Sequence, residues 1–87
     1  MKFVDLGFGN MVLDEKIVAI IGPDSAPAKR IVSEAKDSSR AIDCTGGRRT
    51  KSVIITDSDH VILCSLTPEV LGERLNGQEK DNNGGSK

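Results

Sequence analysis

The stretch Ser52-Val53-Ile54-Ile55-Thr56-Asp57-Ser58-Asp59-His60-Val61-Ile62-Leu63 decides the fold. Two runs rich in β-branched residues, Ser52 to Thr56 and His60 to Leu63, flank a break of Asp, Ser and Asp. That pattern predicts a β-hairpin. Toward the amino terminus, Ala41 to Thr45 reads as a short strand, and Gly46 and Gly47 form a turn into Arg48-Arg49-Thr50-Lys51. Before it, Asp24 to Lys36 predicts a helix, with Ser25 or Asp24 as its cap, Pro27 in its first turn and Ala28, Ile31, Val32 and Ala35 at helical spacing. The unbroken run Ile17 to Ile21 predicts a strand buried on both faces. Lys2 to Leu6 and Met11 to Leu13 predict two further strands around a Gly7-Phe8-Gly9-Asn10 turn.

Beyond the hairpin, Thr67-Pro68-Glu69 opens a second helix with a side-chain cap, a preset φ and an acid at the positive end of the dipole. Leu66 and Leu71 have the spacing of a hydrophobic staple, and the helix runs to about Leu75 before Gly77. The order predicts an α+β domain over residues 1–76, a small mixed sheet with one central and one C-terminal helix. Residues 77–87 are expected to be a disordered tail, because no apolar residue follows Gln78.

With 87 residues, the chain has room for one small domain. Only Phe3 and Phe8 are aromatic, so the core must be aliphatic and thin. Self-association is the expected remedy. Cys44 and Cys64 have no CxxC spacing and lie in apolar stretches, which makes them buried small hydrophobes rather than ligands. The start MKFVDLGFGN lacks the apolar run of a secretory leader, and no apolar stretch is long enough to span a bilayer. A cytoplasmic protein with reduced thiols is expected.

Enzyme chemistry is thinly supported. His60 and Asp59 are strand neighbours and point to opposite faces, so they form no dyad, and Asp57 and Asp59 read as turn formers. Gly7-Phe8-Gly9-Asn10 lacks the third glycine of a dinucleotide loop. Gly46 to Ser52 resembles a phosphate loop, but Thr50 stands where glycine should precede the lysine, and a strand follows where a helix is needed. No cofactor, metal or small-molecule substrate is implied.

Charge is more informative. The formal net charge is −1, yet residues 40 to 51 carry Arg40, Arg48, Arg49 and Lys51 against Asp43, a net +3, and residues 52 to 73 carry Asp57, Asp59, Glu69 and Glu73, a net −4. Two arginines on a Gly-Gly turn suit bidentate phosphate contacts. A solvated loop paired with an acidic surface explains them as well. Three phosphate contacts would give one subunit a salt slope of only about −2.7, so tight DNA binding would need the loop repeated around an oligomer.

Phe8-Gly9-Asn10, Ser25-Ala26-Pro27 with Lys29-Arg30, Ile42-Asp43 leading to Gly47-Arg48-Arg49-Thr50, and Asp57 to Leu63 followed by Pro68-Glu69 together resemble the RemA family of bacterial extracellular matrix regulatory proteins, over residues 2 to about 75. The resemblance implies a cytoplasmic, nucleoid-associated transcriptional regulator with a LytTR-like fold. It implies assembly into a homo-oligomeric ring that carries double-stranded DNA on its basic outer surface and activates matrix, biofilm or stress genes. The family's DNA-contacting arginines fall on Arg48 and Arg49, and a third basic position falls on Lys16, where an arginine is usual. With Lys51 from the same basic loop, the candidate DNA-binding residues are Lys16, Arg48, Arg49 and Lys51. Gly46 replaces an often bulkier residue, which is expected to loosen the loop. Lys16, Arg48 and Arg49 are expected at loop ends on one rim, where a ring would read a curved duplex through phosphates and narrow minor grooves. Without Trp or Tyr, single-strand stacking platforms are hard to build, which favours duplex DNA over RNA. The competing expectation is a scaffolding ring that binds proteins, motivated by the acidic stretch.

Overall fold

A computed structural model describes residues 1–77, so the tail expected from Gln78 onward lies outside the described residues. The elements are β1 (Phe3–Gly7), β2 (Asn10–Leu13), a single 3-10 turn (Asp14–Lys16), β3 (Ile17–Ile21), α1 (Ala26–Asp37), β4 (Ala41–Asp43), β5 (Ser52–Thr56), β6 (Val61–Cys64) and α2 (Pro68–Leu75). Their order is the one expected. The strands divide into two sheets rather than one: β1 and β2 pair by themselves, and the remaining four lie in the order β3-β5-β6-β4. Gly77, placed with the tail by composition, still donates its N–H to the Arg74 carbonyl at 3.2 Å.

The β5–β6 hairpin forms as expected, with Ser52 opposite Cys64 and Ile55 opposite Val61. It occupies the centre of the sheet and is buried on both faces. Because strand side chains alternate, Ile54, Ile62 and Cys64 enter one core while Val53, Val61 and Leu63 enter another. The first core is closed by Val4 and Leu6 from β1 and Leu71 from α2, and the second by Ala35 from α1, with Ile31 and Val32 packed at its margin.

Burial on both faces had been expected of Ile17 to Ile21. Instead β3 is an edge strand, antiparallel to β5 alone, with a register shift between Ile17 and Ala19 that leaves Val18 65% exposed. The β-branched run gave the strand; pairing position gave the burial.

Both helices start where a side chain satisfies a free N–H. Ser25 Oγ accepts from the Ala28 N–H at 3.2 Å, and Thr67 Oγ1 accepts from the Val70 N–H at 3.3 Å. Leu66, just before the second cap, packs on the same core as Leu71. The Ser52 hydroxyl, wholly buried, donates to the Leu66 carbonyl at 2.5 Å and ties the start of β5 to the approach to α2.

Strand direction sets where loops can meet. β4 runs parallel to β6, and β3 and β6 are both antiparallel to β5, so the carboxyl ends of β3, β4 and β6 share one end of the sheet with the start of β5. Ile54→Ala is expected to destabilise the domain by about 2–5 kcal/mol through the cavity it opens. Thr67→Ala should cost only about 1 kcal/mol, the value of one cap. Chemical denaturation at a fixed protein concentration separates the two.

Candidate functional site

The loop between β4 and β5 gathers at that shared end, anchored on the last residues of β6. The Cys44 N–H donates to the Leu63 carbonyl and the Lys51 N–H to the Cys64 carbonyl, both at 2.8 Å. Between these anchors the chain reverses: the Arg48 N–H reaches the Thr45 carbonyl at 3.1 Å, with Gly46 at φ +62° and Gly47 at φ +85°. Two central residues at positive φ are the condition of a type I′ turn, which explains the Gly-Gly pair. Asp43 braces the turn from behind. Its Oδ1 accepts from the buried Thr45 hydroxyl at 2.6 Å and from the Thr45 N–H at 2.9 Å.

A second tight turn leans on the first. At the tip of the β1–β2 hairpin, Phe8 has φ +56° between Gly7 and Gly9, and its ring lies against Gly46 so closely that a Cβ there would come within 2.6 to 2.8 Å of ring atoms. Gly46 is thus the residue that admits the ring. The Arg48 guanidinium carbon stands 5.7 Å from the ring centroid, within cation–π range. Arg49 and Lys51 are exposed and have no side-chain partner among the described residues.

Lys16 is elsewhere. Its carbonyl accepts from the Asp57 N–H at 2.9 Å, and its ammonium lies 3.7 Å from the Asp57 carboxylate, an exposed pair. Asp57 and Lys51 bracket β5, a separation of about 20 Å at roughly 3.3 Å per residue. Within one subunit, Lys16 and the arginine loop therefore occupy opposite ends of the sheet and not one rim. Arg40, grouped with the loop by sequence position, also sits at the far end, donating to the Asp59 carbonyl at 2.7 Å.

Two basic residues that sequence position did not connect come close to the loop. Lys29 and Lys36, two helical turns apart on α1, line a cleft of about 350 Å³ together with Thr50, Val32, Val53 and Leu63. Their seven-residue spacing was the available signal, since it puts both on one helix face. Lys36 is also near enough to Asp43 to favour its ionised form.

The alternative chemistries find little here. His60 Nδ1 is 2.9 Å from Ser58 Oγ, and the His60 N–H donates to Thr56 Oγ1 at 3.1 Å, so this histidine belongs to its turn. Thr56 and Ser58 side chains close that turn, whereas the Asp57 carboxylate, expected to bond its own backbone, faces Lys16. Asp59 contributes a positive φ of 65°. Cys44 and Cys64 are free and buried, and burial pushes the Cys44 thiol up, with Cys64 and Asp43 adding to the shift. Among the described residues no cluster of His, Cys, Asp or Glu could hold a metal ion, and no helix is long and apolar enough to cross a membrane. What the loop offers is a set of exposed cationic donors suited to anionic oxygens.

The Asp43 carboxyl titrates below its ordinary value of 3.8, chiefly because of the Thr45 hydroxyl and then the Thr45 N–H. Its contribution to loop order is complete above the ordinary carboxylate range and is lost as pH falls through the lowered value. Thr45→Val should move the Asp43 titration upward in a carboxyl-detected NMR experiment, with the backbone bond retained.

The RemA-like family profile, described as "Extracellular matrix regulatory protein A-like", matches residues 3–75. A Geobacillus thermodenitrificans protein is 53% identical over 79 residues, covering 91% of each chain, and one from Carboxydothermus hydrogenoformans is 54% identical over 79 residues with the same coverage. A Heliobacterium modesticaldum protein is 52% identical over 84 residues, 97% of this chain and 92% of its own. All three bear the name "Putative regulatory protein".

Proposed function

The chain belongs to the RemA-like family, and from that premise we propose that it is a transcriptional regulator that assembles into a homo-oligomeric ring and binds double-stranded DNA through a repeated basic loop. The observation that carries this reading is the loop at the Gly46-Gly47 turn, where Arg49 and Lys51 are exposed and have no side-chain partner among the described residues, and Arg48 is held over Phe8. Asp43, the acid within the loop's own segment, bonds Thr45, and among the described residues forms no ion pair with the arginines. Their charge is left for an outside anion. Lys29 and Lys36 extend the basic surface toward α1.

Self-association is supported by what the two cores leave uncovered. Phe3, Met11, Val18 and Ile42 are 62%, 64%, 65% and 44% exposed. Phe3 and Met11 share the outer face of the β1–β2 hairpin, while Val18 and Ile42 mark the two opposite edges of the four-stranded sheet. Different patches at opposite edges suit a head-to-tail contact, the kind that closes into rings. Lys16, paired with Asp57 at the far end of the sheet, would add a second, separate contact in such an assembly by exchanging that partner for a phosphate. The target genes that the family description suggests, those of the extracellular matrix, belong to the same proposal.

A gel-shift titration of duplex DNA at two salt concentrations, with particle size measured in parallel, tests this directly. Arg48→Ala together with Arg49→Ala should abolish retardation without changing particle size. Either single variant, retaining measurable binding, should lower the salt slope by roughly 0.9 for each subunit engaged, one lost phosphate contact apiece. Unchanged affinity in the double variant would refute the DNA reading. Salt-insensitive capture of a protein with no DNA binding would favour a scaffolding ring.

A further inference from the structure

We propose that Phe8 is a positioning residue that orients Arg48 for the anion it meets, so that the two loop arginines are not equivalent. This rests on the DNA-binding reading above. Phe8 is one of only two aromatic residues in the chain, and core formation does not explain it, because it is 55% exposed. It also holds a positive φ, a conformation that bulky residues rarely adopt.

Side chains around the hairpin tip maintain that conformation. The Asn10 amide donates to the Gly7 carbonyl at 3.2 Å and the Phe8 carbonyl at 3.4 Å, and Asp5 Oδ1 accepts from the Gly7 N–H at 2.8 Å. One face of the ring thereby rests on Gly46, which only a missing Cβ allows. Arg48 then stands over the ring at 5.7 Å.

Among the described residues the Arg48 guanidinium makes no hydrogen bond, so its five N–H donors are free to bond phosphate or a base edge while the cation stands over the ring. Ordering the long side chain in advance removes part of the entropy cost of binding. Arg49 has no such shelf among the described residues and must be ordered by the ligand itself.

The test compares Phe8→Leu, which keeps apolar bulk but lacks a ring, with Phe8→Tyr, which restores one. Duplex DNA affinity and particle size are measured on the full chain, in the wild-type and Arg48→Ala backgrounds. Phe8→Leu should weaken DNA binding about 2- to 5-fold, the size of an exposed cation–π contact, and Phe8→Tyr should return affinity to near wild type. In the Arg48→Ala background Phe8→Leu should have no further effect. An equal loss in both backgrounds overturns the proposal, since Phe8 would then be acting through the fold or by touching DNA itself. Proton NMR of the DNA-free protein gives an independent reading. Arg48 Hδ signals displaced by the ring current, and relaxing in Phe8→Leu, support the contact, while undisplaced signals overturn it. If the double arginine variant binds DNA normally, the functional reading fails, and the NMR result still decides whether Phe8 holds Arg48.

Discussion

Burial of the β5–β6 hairpin on both faces is the constraint on which the remaining structure depends. Val53 and Ile54, adjacent in the chain and both 0% exposed, must each find a separate apolar cover. A small chain meets that demand by placing α1 on one side and the β1–β2 hairpin with α2 on the other. Removing either layer would expose an aliphatic face that the few remaining elements could not cover. The two cores are thin, and each relies on small residues for close approach: Ala35 beneath α1, and Cys44 and Cys64 beneath β1 and α2.

The same hairpin fixes the candidate site. β6 accepts the bonds that hold both ends of the 45–50 loop, so the arginines are placed by a strand that has no freedom to move without opening both cores. The β1–β2 hairpin covers the first core with Val4 and Leu6, and its tip thereby arrives at Gly46. Packing of apolar residues at one level thus decides the position of a cation at the next. Gly46 and Phe8 are complementary in this sense: a positive φ at each, and contact possible only because one of them has no side chain.

Local signals made the elements readable. Ser25 and Thr67 as caps, Pro27 and Pro68 in the first turns, and the β-branched runs of β3 and β5 were all visible in the sequence, because each acts over a few residues. Properties that depend on pairing were not. Ile17 to Ile21 gives no sign that it is an edge, since edge status depends on which strands lie beside it. Lys16 is expected on one rim with Arg48 and Arg49, and Arg40 counts with the loop's charge, because chain order says nothing of strand direction; β5 separates both from the loop. Phe8 was visible as part of a glycine-flanked turn, but its meeting with Gly46, 38 positions later in the numbering, is a tertiary event.

A net charge of −1 weighs against an anionic partner only if charge is spread evenly, and it is not. At one end of the sheet the Asp57 carboxylate pairs with Lys16, and Arg40 is engaged by the backbone carbonyl of Asp59. At the other end Asp43 is committed to Thr45, and Arg49 and Lys51 face solvent. An approaching polyanion responds to the local field within about a Debye length, roughly 8 Å at physiological salt, and not to the sum over the chain. Seen at that range the loop is cationic, and repetition of it around an assembly would multiply the field without altering the near-neutral balance of each subunit. A chain of near-neutral net charge can therefore carry a basic working surface, because the sum over residues does not record where the charges stand.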